Sequence, residues 1–331
     1  MAALGSDETI AVRGPYFDEL RAGLVLPPRP AVTLTSGLQA AHAAIVGNRL
    51  PLVLDHELAR RVAGGPLAGP ALVWDVSIGQ STTATQHVRA NLFYRDLWFH
   101  RQPLLGDTLR TTTRVEALRE NTRRPGRQAT GLAELRITTV DQLDRLVLDY
   151  RRCAMILLSP GGGETGYADE LSSGDEGTGE PDPLRSVALW DLSALSGSAT
   201  RSWEVGSTYD VAGGDVVSSA PELARLTGNM ALVHHDREAG GGDRLVYGGH
   251  TIGLAFHHVC QLFPGLLTVA GWRGCDHLAP VREGDYVTSS VTIEEAQHPR
   301  EGLAVLALKV TSCVRATPVL DWRLLAVVAE P

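Results

Sequence analysis

The sequence lacks the features that mark several common classes of protein. It has four cysteines among 331 residues, and no pair of them has the CxxC spacing of a zinc site or redox centre. No apolar run approaches the roughly 20 residues that a membrane-spanning helix needs, and no basic stretch followed by an apolar one marks a signal peptide. The net charge of −8 gives no general attraction to nucleic acid or anionic membranes. We therefore expect a cytoplasmic protein with reduced thiols and with neither a nucleic-acid nor a membrane partner.

The sequence does contain an internal repeat. Glycine, asparagine and aspartate fall at matching places in the segments 47–55 and 228–236. A Val-Leu-Asp-aromatic-Arg stretch at 147–151 recurs at 319–323. Self-similarity over this distance, in a chain whose length suggests about two domains, indicates two copies of one fold. At the seventh position of the first pair of segments, one copy has Val53 and the other has His234, so only the second is equipped for proton transfer.

The composition places a boundary between the two copies. Residues 159–183 are rich in glycine, serine, proline and acid and have few large apolar side chains. Such a segment cannot bury enough surface to offset its ordering entropy. We expect a catalytically degenerate repeat at 1–158, a flexible linker at 159–185 and a catalytic repeat at 186–331.

Both repeats show the same order of expected elements. A helix is expected at 36–46 and at 220–228, with Ser36 or Ser219 available to cap it. An apolar, small-residue helix at 70–79 and at 249–263 has the pattern of a buried helix. Alternating, β-branched residues predict strands at 107–118, 131–140, 145–157, 285–296, 303–315 and 319–328. This order indicates an α+β fold in which each antiparallel sheet wraps around a helix.

Residues of the second repeat carry a family resemblance. The segments Leu226-Thr227-Gly228-Asn229, His234-His235-Asp236 and Tyr247-Gly248-Gly249-His250 resemble MaoC-like dehydratases and R-specific enoyl-CoA hydratases. The family loop usually runs Thr-Gly-Asp-x-Asn-Pro-x-His-x-Asp, and here Asn229, Ala231 and Leu232 replace its aspartate, asparagine and proline. In these positions the chain is similar to the mesaconyl-CoA hydratase (β-methylmalyl-CoA dehydratase) branch. The resemblance implies a double hot-dog fold and hydration of an enoyl-CoA, with coenzyme A as part of the substrate and no separate cofactor.

The chemistry of hydration selects the candidate catalytic residues. It needs a base for water, an acid for the α carbon and donors for the enolate oxygen. His234 can fill the first two roles, whereas the amide of Asn229 does not titrate and is assigned to positioning the water or the imidazole. By resemblance, the N–H of Gly249 would hold the enolate oxygen, beside Gly248 at a helix start. The alternatives are a loop histidine bonded to a backbone carbonyl and a glycine pair that serves only a tight turn.

Substrate contacts are expected around the glycine pair. Tyr247 adjoins it, with packing as the alternative role, and His250 is expected at the mouth of the pocket. An acyl carboxylate would need a cationic contact, for which His250, Arg273 and Arg95 are candidates. Five of the 11 histidines lie between 234 and 258, but no cysteine or HExxH spacing accompanies them, so we expect no metal.

Arginine forks suit the phosphates of coenzyme A. The candidates near the loops of the second repeat are Arg237, Arg244, Arg273 and Arg282. A polar hairpin tip, which is longer in the first repeat than in the second, carries Arg123, Arg124 and Arg127. A solvated basic surface is the alternative for both groups.

These residues indicate a hydro-lyase for a short, branched, carboxylated enoyl-CoA such as mesaconyl-CoA. A dehydratase for longer or carrier-bound acyl groups is a second possibility. A non-catalytic acyl-CoA-binding subunit is a third, because Asn229 stands where many relatives use a carboxylate. Hot-dog sheets often pair edge to edge, so a homodimer is also expected.

Overall fold

The computed structural model describes residues 13–172, 180–195 and 203–330. Its α-helices are Ser36–Val46 (α1), Pro51–Leu54 (α2), His56–Ala63 (α3), Pro70–Gln80 (α4), Ala220–Leu226 (α5) and Gly248–Leu262 (α6). The strands of the first repeat are Val32–Thr33 (β1), Val88–Phe99 (β2), Thr108–Glu120 (β3), Thr130–Val140 (β4) and Leu146–Leu157 (β5). Those of the second are Thr208–Asp210 (β6), Asp215–Val216 (β7), Leu266–His277 (β8), Tyr286–Arg300 (β9), Leu303–Val314 (β10) and Thr317–Ala329 (β11).

The strands form one 11-stranded antiparallel sheet that spans both repeats. Its order is β1-β3-β4-β5-β2-β8-β11-β10-β9-β6, and β7 also pairs with β9. The repeats meet where β2 pairs with β8, from Phe93 opposite Asp276 to Trp98 opposite Gly271. The strand order on one side of this junction is repeated on the other. The α+β double hot-dog architecture expected from the sequence is therefore confirmed.

A buried central helix lies against the sheet in each repeat. Every residue of α4 is buried, and proline opens the helix at a position where its missing N–H costs nothing. Gly79 allows the end of α4 to approach the second repeat closely, because a Cβ there would lie 1.8 Å from the carbonyl oxygen of Thr227. The loop that follows Thr227 carries His234, so this contact places the second repeat's functional loop against the first repeat's helix.

Most predicted elements are present, with small shifts at their ends. The cap of α1 differs from the expectation: Thr35, not Ser36, accepts the N–H of Leu38. Ser219 occupies the cap position of α5 but makes no side-chain cap. The sequence did not single out two helices, α2 and α3, or five strands, β1, β2, β6, β7 and β8. Two of them, β2 and β8, are the strands that join the repeats.

Residues 159–172 of the expected linker are packed against the first repeat. The backbone N–H groups of Ser159 and Ser172 donate to Asp18 and Glu134. The hydroxyl of Tyr167 donates to the carbonyl of Leu20. Short polar residues in this stretch bind strand and loop groups directly, so residues 159–172 do not form a free linker. Residues 173–179 of the same segment lie outside the described residues.

Candidate active site

A cavity of about 380 Å³ lies between the two repeats. The first repeat contributes the end of α4, β2 and β5 to its wall, and the second contributes the loop after α5, the start of α6 and the end of β8. Its polar and ionisable lining residues are Thr82, Thr85, Arg89, Asn91, Tyr94, Arg152, Asn229, His234, Tyr247, Thr251, His277 and Arg282. Neither repeat alone could form this cavity.

His234 enters the cavity from a 3-10 turn, Leu232–His234. Its Nδ1 lies 2.8 Å from the carbonyl oxygen of Leu245. Because a carbonyl only accepts, Nδ1 carries the proton and Nε2 keeps its lone pair. Nε2 has no hydrogen-bond partner within residues 13–172, 180–195 and 203–330. The bond to a backbone carbonyl agrees with the alternative interpretation of His234, and its catalytic role stays a prediction.

Burial lowers the pKa of His234 to about 4, and the bond to the Leu245 carbonyl opposes this shift. The ring is therefore neutral at pH 7. A neutral imidazole with a free Nε2 is the form that accepts a proton from water.

Asn229 holds the loop together. Its Oδ1 accepts the N–H of Ala231 at 3.0 Å, and its carbonyl lies 2.7 Å from Nε2 of His235. In the first repeat, Oδ1 of Asn48 accepts the N–H of Leu50 at the same distance, 3.0 Å. The shared turn gives Asn229 a structural role that does not depend on chemistry. It also lines the cavity, so the expectation that it positions water stays a prediction.

The start of α6 adjoins His234 and is closely packed. The rings of His234 and Tyr247 meet edge to face at 5.7 Å. A Cβ on Gly248 would lie 2.5 Å from Nε2 of His277, and one on Gly249 would lie 2.1 Å from Oδ1 of Asp75. A side chain at either glycine would clash with these neighbours, which agrees with the interpretation that the pair serves a tight turn. The first N–H groups of a helix also have no acceptor within it. Gly248 lines the cavity, whereas Gly249 is buried behind it.

The first repeat supports Tyr247 through a buried network. The Tyr247 hydroxyl donates to Oδ1 of Asp75 at 3.0 Å, and Oδ2 of Asp75 lies 2.8 Å from Nε2 of His42. Burial and the adjacent carboxylate raise the pKa of the Tyr247 phenol well above its ordinary value. Tyr247 is therefore a neutral donor that fixes the cavity wall at the start of α6.

The structure does not bring the predicted carboxylate-binding residues into the cavity wall. His250 is 0% exposed within α6, both of its ring nitrogens lack partners, and burial lowers its pKa to about 4. Arg273 binds Glu180 and Glu295 on the other side of β8, and Arg95 binds Asp276. The cause is strand alternation, since neighbouring residues of β2 and β8 point to opposite faces of the sheet.

Most of the arginines expected to bind phosphate lie elsewhere, and Arg282 is the exception. Arg123 donates to Glu120 and to the carbonyl of Gly162, at the hairpin between β3 and β4. Arg124 is exposed at the same tip. Arg244 lies 3.6 Å from Glu283 and does not line the cavity. Arg89 and Arg282 do line it, and they contact the carbonyls of Ala239 and Gly240.

The sequence reasoning missed Tyr94, Arg152 and His277. A signal for two of them exists in the repeat. Arg152 directly follows the matched stretch 147–151, and the residue in the same place after 319–323 is Leu324. The strand register agrees, since Tyr94 pairs with Arg152 as Trp272 pairs with Leu324.

No group of three or more metal-ligating side chains is arranged around a common point in the described residues. Among the same residues, no helix is long and apolar enough to cross a membrane.

Known proteins resemble this chain along most of its length. No family model matches it. It is 27% identical to a β-methylmalyl-CoA dehydratase of Chloroflexus aurantiacus, over 89% of this chain and 87% of that protein. It is also 27% identical to a mesaconyl-CoA hydratase of Cereibacter sphaeroides, over 92% and 90% of the two chains.

Solved structures show the same architecture. A conserved hypothetical protein of Mycobacterium tuberculosis with a double hotdog fold is 49% identical, with a TM-score of 0.86 over 96% of this chain and 99% of that one. A MaoC domain protein of Chloroflexus aurantiacus, 22% identical, has the same fold, with a TM-score of 0.86 over 98% and 100% of the two chains. This chain therefore belongs to the same double hot-dog family as the Mycobacterium tuberculosis protein, and it is similar to MaoC-like dehydratases.

Proposed function

We propose that this protein is a hydro-lyase that reversibly adds water to the double bond of a short enoyl-CoA thioester. The observation that carries the proposal is the neutral His234, which lines the cavity beside the start of α6. Its Nε2 has no hydrogen-bond partner among the described residues. The names of the two curated relatives support a CoA-thioester hydratase or dehydratase.

The reaction needs one imidazole and one set of hydrogen-bond donors. Nε2 of His234 accepts a proton from water while the hydroxyl forms a bond to the β carbon. The electron pair of the double bond moves through the α carbon to the thioester oxygen and forms an enolate. The enolate pair then takes the proton from the imidazolium, which restores neutral His234 and completes the 3-hydroxyacyl thioester. The Nδ1–H bond to Leu245 holds the ring in the same tautomer throughout.

The start of α6 is suited to stabilising the enolate. Its first N–H groups are unpaired within the helix, and the helix dipole favours negative charge at this end. Gly248 contributes to the cavity wall, so its N–H is a candidate donor together with that of Gly249. The phenol of Tyr247 is committed to Asp75 and keeps this end of the helix in place.

The acyl group we propose is short, branched and carboxylated, as in mesaconyl-CoA. The curated relatives named for mesaconyl-CoA and β-methylmalyl-CoA support this choice. Arg89 and Arg282, which line the cavity, are better placed for the coenzyme A phosphates than the hairpin arginines. The cytoplasmic location and the homodimer expected from the sequence stay predictions.

The absorbance of the enoyl thioester tests this function. Purified protein is mixed with mesaconyl-CoA, with crotonyl-CoA and with a longer enoyl-CoA. We expect the absorbance of mesaconyl-CoA to fall as water adds, with slower change or none for the others. Preferred turnover of the longer thioester would favour the broader dehydratase. Binding of all three without any turnover would overturn the proposal and favour a binding subunit.

A further inference from the structure

Arg152 is a buried cation without a carboxylate partner. It lies on β5, is 3% exposed and lines the cavity. Its Nη2 donates to the carbonyl of Ser81 at 3.1 Å and to the hydroxyl of Thr85 at 3.0 Å. Its Nε is buried without a partner, and Nη1 makes no hydrogen bond to the part of the chain that the structure describes. No described carboxylate forms an ion pair with it, so its charge is left uncompensated by the protein.

A buried guanidinium in this state is costly unless a ligand pairs with it. The neighbouring arginine shows the usual arrangement. Arg151 points to the opposite face of β5, where it binds Asp96 and lies 3.9 Å from Glu134. The two adjacent arginines thus differ in one respect that matters: Arg151 has protein carboxylates and Arg152 has none.

The fold does not require an arginine at this position. Leu324 takes the equivalent place in the second repeat, where it is 1% exposed and pairs across the strands with Trp272. An apolar side chain therefore satisfies the same location in the same architecture. The presence of a charged residue in the first repeat calls for a reason other than packing.

Arg152 lies in the wall of the same cavity as the proposed base, His234. It shares the cavity wall with His234, Tyr94 and His277. Its charge also contributes to lowering the pKa of His234, after the larger effect of burial. An anion bound to Arg152 would therefore lie in the same enclosed space as the thioester double bond.

We propose that Arg152 binds the free carboxylate of the acyl group and makes the site selective for dicarboxylic acyl thioesters. This inference rests on the proposed function, because it concerns the substrate of that reaction. In mesaconyl-CoA the carboxylate is attached to the β carbon, which receives the hydroxyl. The two N–H groups of Nη1 can donate to it, and a charge-assisted bond in an enclosed site both orients the acyl group and rejects uncharged analogues. His250, Arg273 and Arg95 are thereby replaced by Arg152 in this role.

The test compares two substrates of the same shape. 2-Methylcrotonyl-CoA has a methyl group where mesaconyl-CoA has its carboxylate. We expect the wild-type protein to favour mesaconyl-CoA, and Arg152→Leu to lower the ratio of the two kcat/KM values by about 100-fold or more. Arg151→Leu, which removes an adjacent arginine from the other face, is the matched control and leaves the ratio unchanged. An unchanged ratio in Arg152→Leu would overturn the proposal.

A binding measurement on the wild-type protein tests the proposal even if Arg152→Leu does not fold or the protein shows no turnover. Isothermal titration of wild-type protein compares methylsuccinyl-CoA with 2-methylbutyryl-CoA, which are saturated and cannot be hydrated. Tighter binding of the carboxylated thioester supports the role of Arg152, and equal binding overturns it. Turnover of 2-methylcrotonyl-CoA but not mesaconyl-CoA would refute the carboxylate site and leave the hydratase intact. Selective binding without any turnover would refute the hydratase and leave the carboxylate site intact.

Discussion

The two repeats form two equivalent sites between them, an open site around His234 and a packed site around Val53. The two sites differ in the side chains at their matching positions. At the open site the repeats place Tyr94, Tyr150, Arg152 and His234. The matching positions of the packed site have four apolar residues, Trp272, Trp322, Leu324 and Val53. The cavity of the open site measures about 380 Å³, whereas the space beside Asn48 and Gly69 measures about 10 Å³. One of the two sites between the repeats has been closed by packing, and the other has been kept open.

A cluster of tryptophans packs around the positions that match the open site. The rings of Trp74 and Trp272 lie 4.9 Å apart, and those of Trp272 and Trp322 lie 5.3 Å apart, all in edge contacts. Phe256 completes the cluster at 5.4 Å from Trp74. Large aromatic side chains in such contacts contribute strongly to stability. Part of that contribution is lost, because the indole N–H groups of all three tryptophans are buried without a hydrogen-bond partner among the described residues.

The largest expected effect comes from replacing His234 of the open site by valine, the residue that the packed site has at the matching position. His234→Val should lower kcat by about 10³- to 10⁴-fold, because it removes the only proposed proton carrier. The measurement is enoyl-thioester absorbance, with circular dichroism to confirm the fold. His298→Val, at an exposed histidine bonded to Glu330, is the control and should keep its activity. A His234→Val protein that folds and retains turnover would refute the assignment.

The next effect concerns the tryptophan cluster. Trp322 is 0% exposed, and Trp322→Ala should lower the free energy of unfolding by about 3–5 kcal/mol through the cavity it leaves. Its activity at a temperature where it stays folded should change little, since Trp322 does not line the cavity of the open site. Urea unfolding and the absorbance assay measure the two quantities. Lost activity with unchanged stability would show that the packed site takes part in catalysis.

The pH dependence of kcat/KM reports the state of His234. With its pKa lowered to about 4 by burial, the basic form persists well below neutral pH. We expect kcat/KM to be level from about pH 8 to about 5.5 and to fall only as the pH approaches 4, in contrast to an ordinary histidine near 6.5. Rapid mixing into acid buffer separates this from unfolding. A midpoint near 6.5 would contradict the buried, neutral base.

The smallest effect is on acid stability. His250 has a folded pKa of about 4 against an ordinary 6.5, so between these values the unfolded chain binds a proton that the folded chain does not. Stability must therefore fall as the pH drops from about 6.5 to about 4. His250→Leu, which copies Leu72 at the matching third position of α4, should show a smaller loss of urea midpoint between pH 7 and 5. An equal loss in both proteins would contradict this.

The sequence predicted what depends on local pattern. The repeat, the buried helices and the contrast between Val53 and His234 follow from spacing and residue type alone. Arg152 was missed because two adjacent arginines on a strand look like surface residues, and only the strand register shows which one points inward. His277 ends a strand that was not singled out, and its place against Gly248 depends on how that strand meets α6. The composition of residues 159–172 is typical of a flexible linker, but their hydrogen bonds to the first repeat hold them in place.

The number of acyl-CoA molecules bound per chain tests the central comparison most directly. Methylsuccinyl-CoA cannot be hydrated, so isothermal titration into wild-type protein counts sites without turnover. A chain with one open cavity and one closed by tryptophan should bind one molecule, and His234→Val should leave that number unchanged. Two molecules bound per chain with similar affinity would contradict the account, because the packed site would then also bind acyl-CoA.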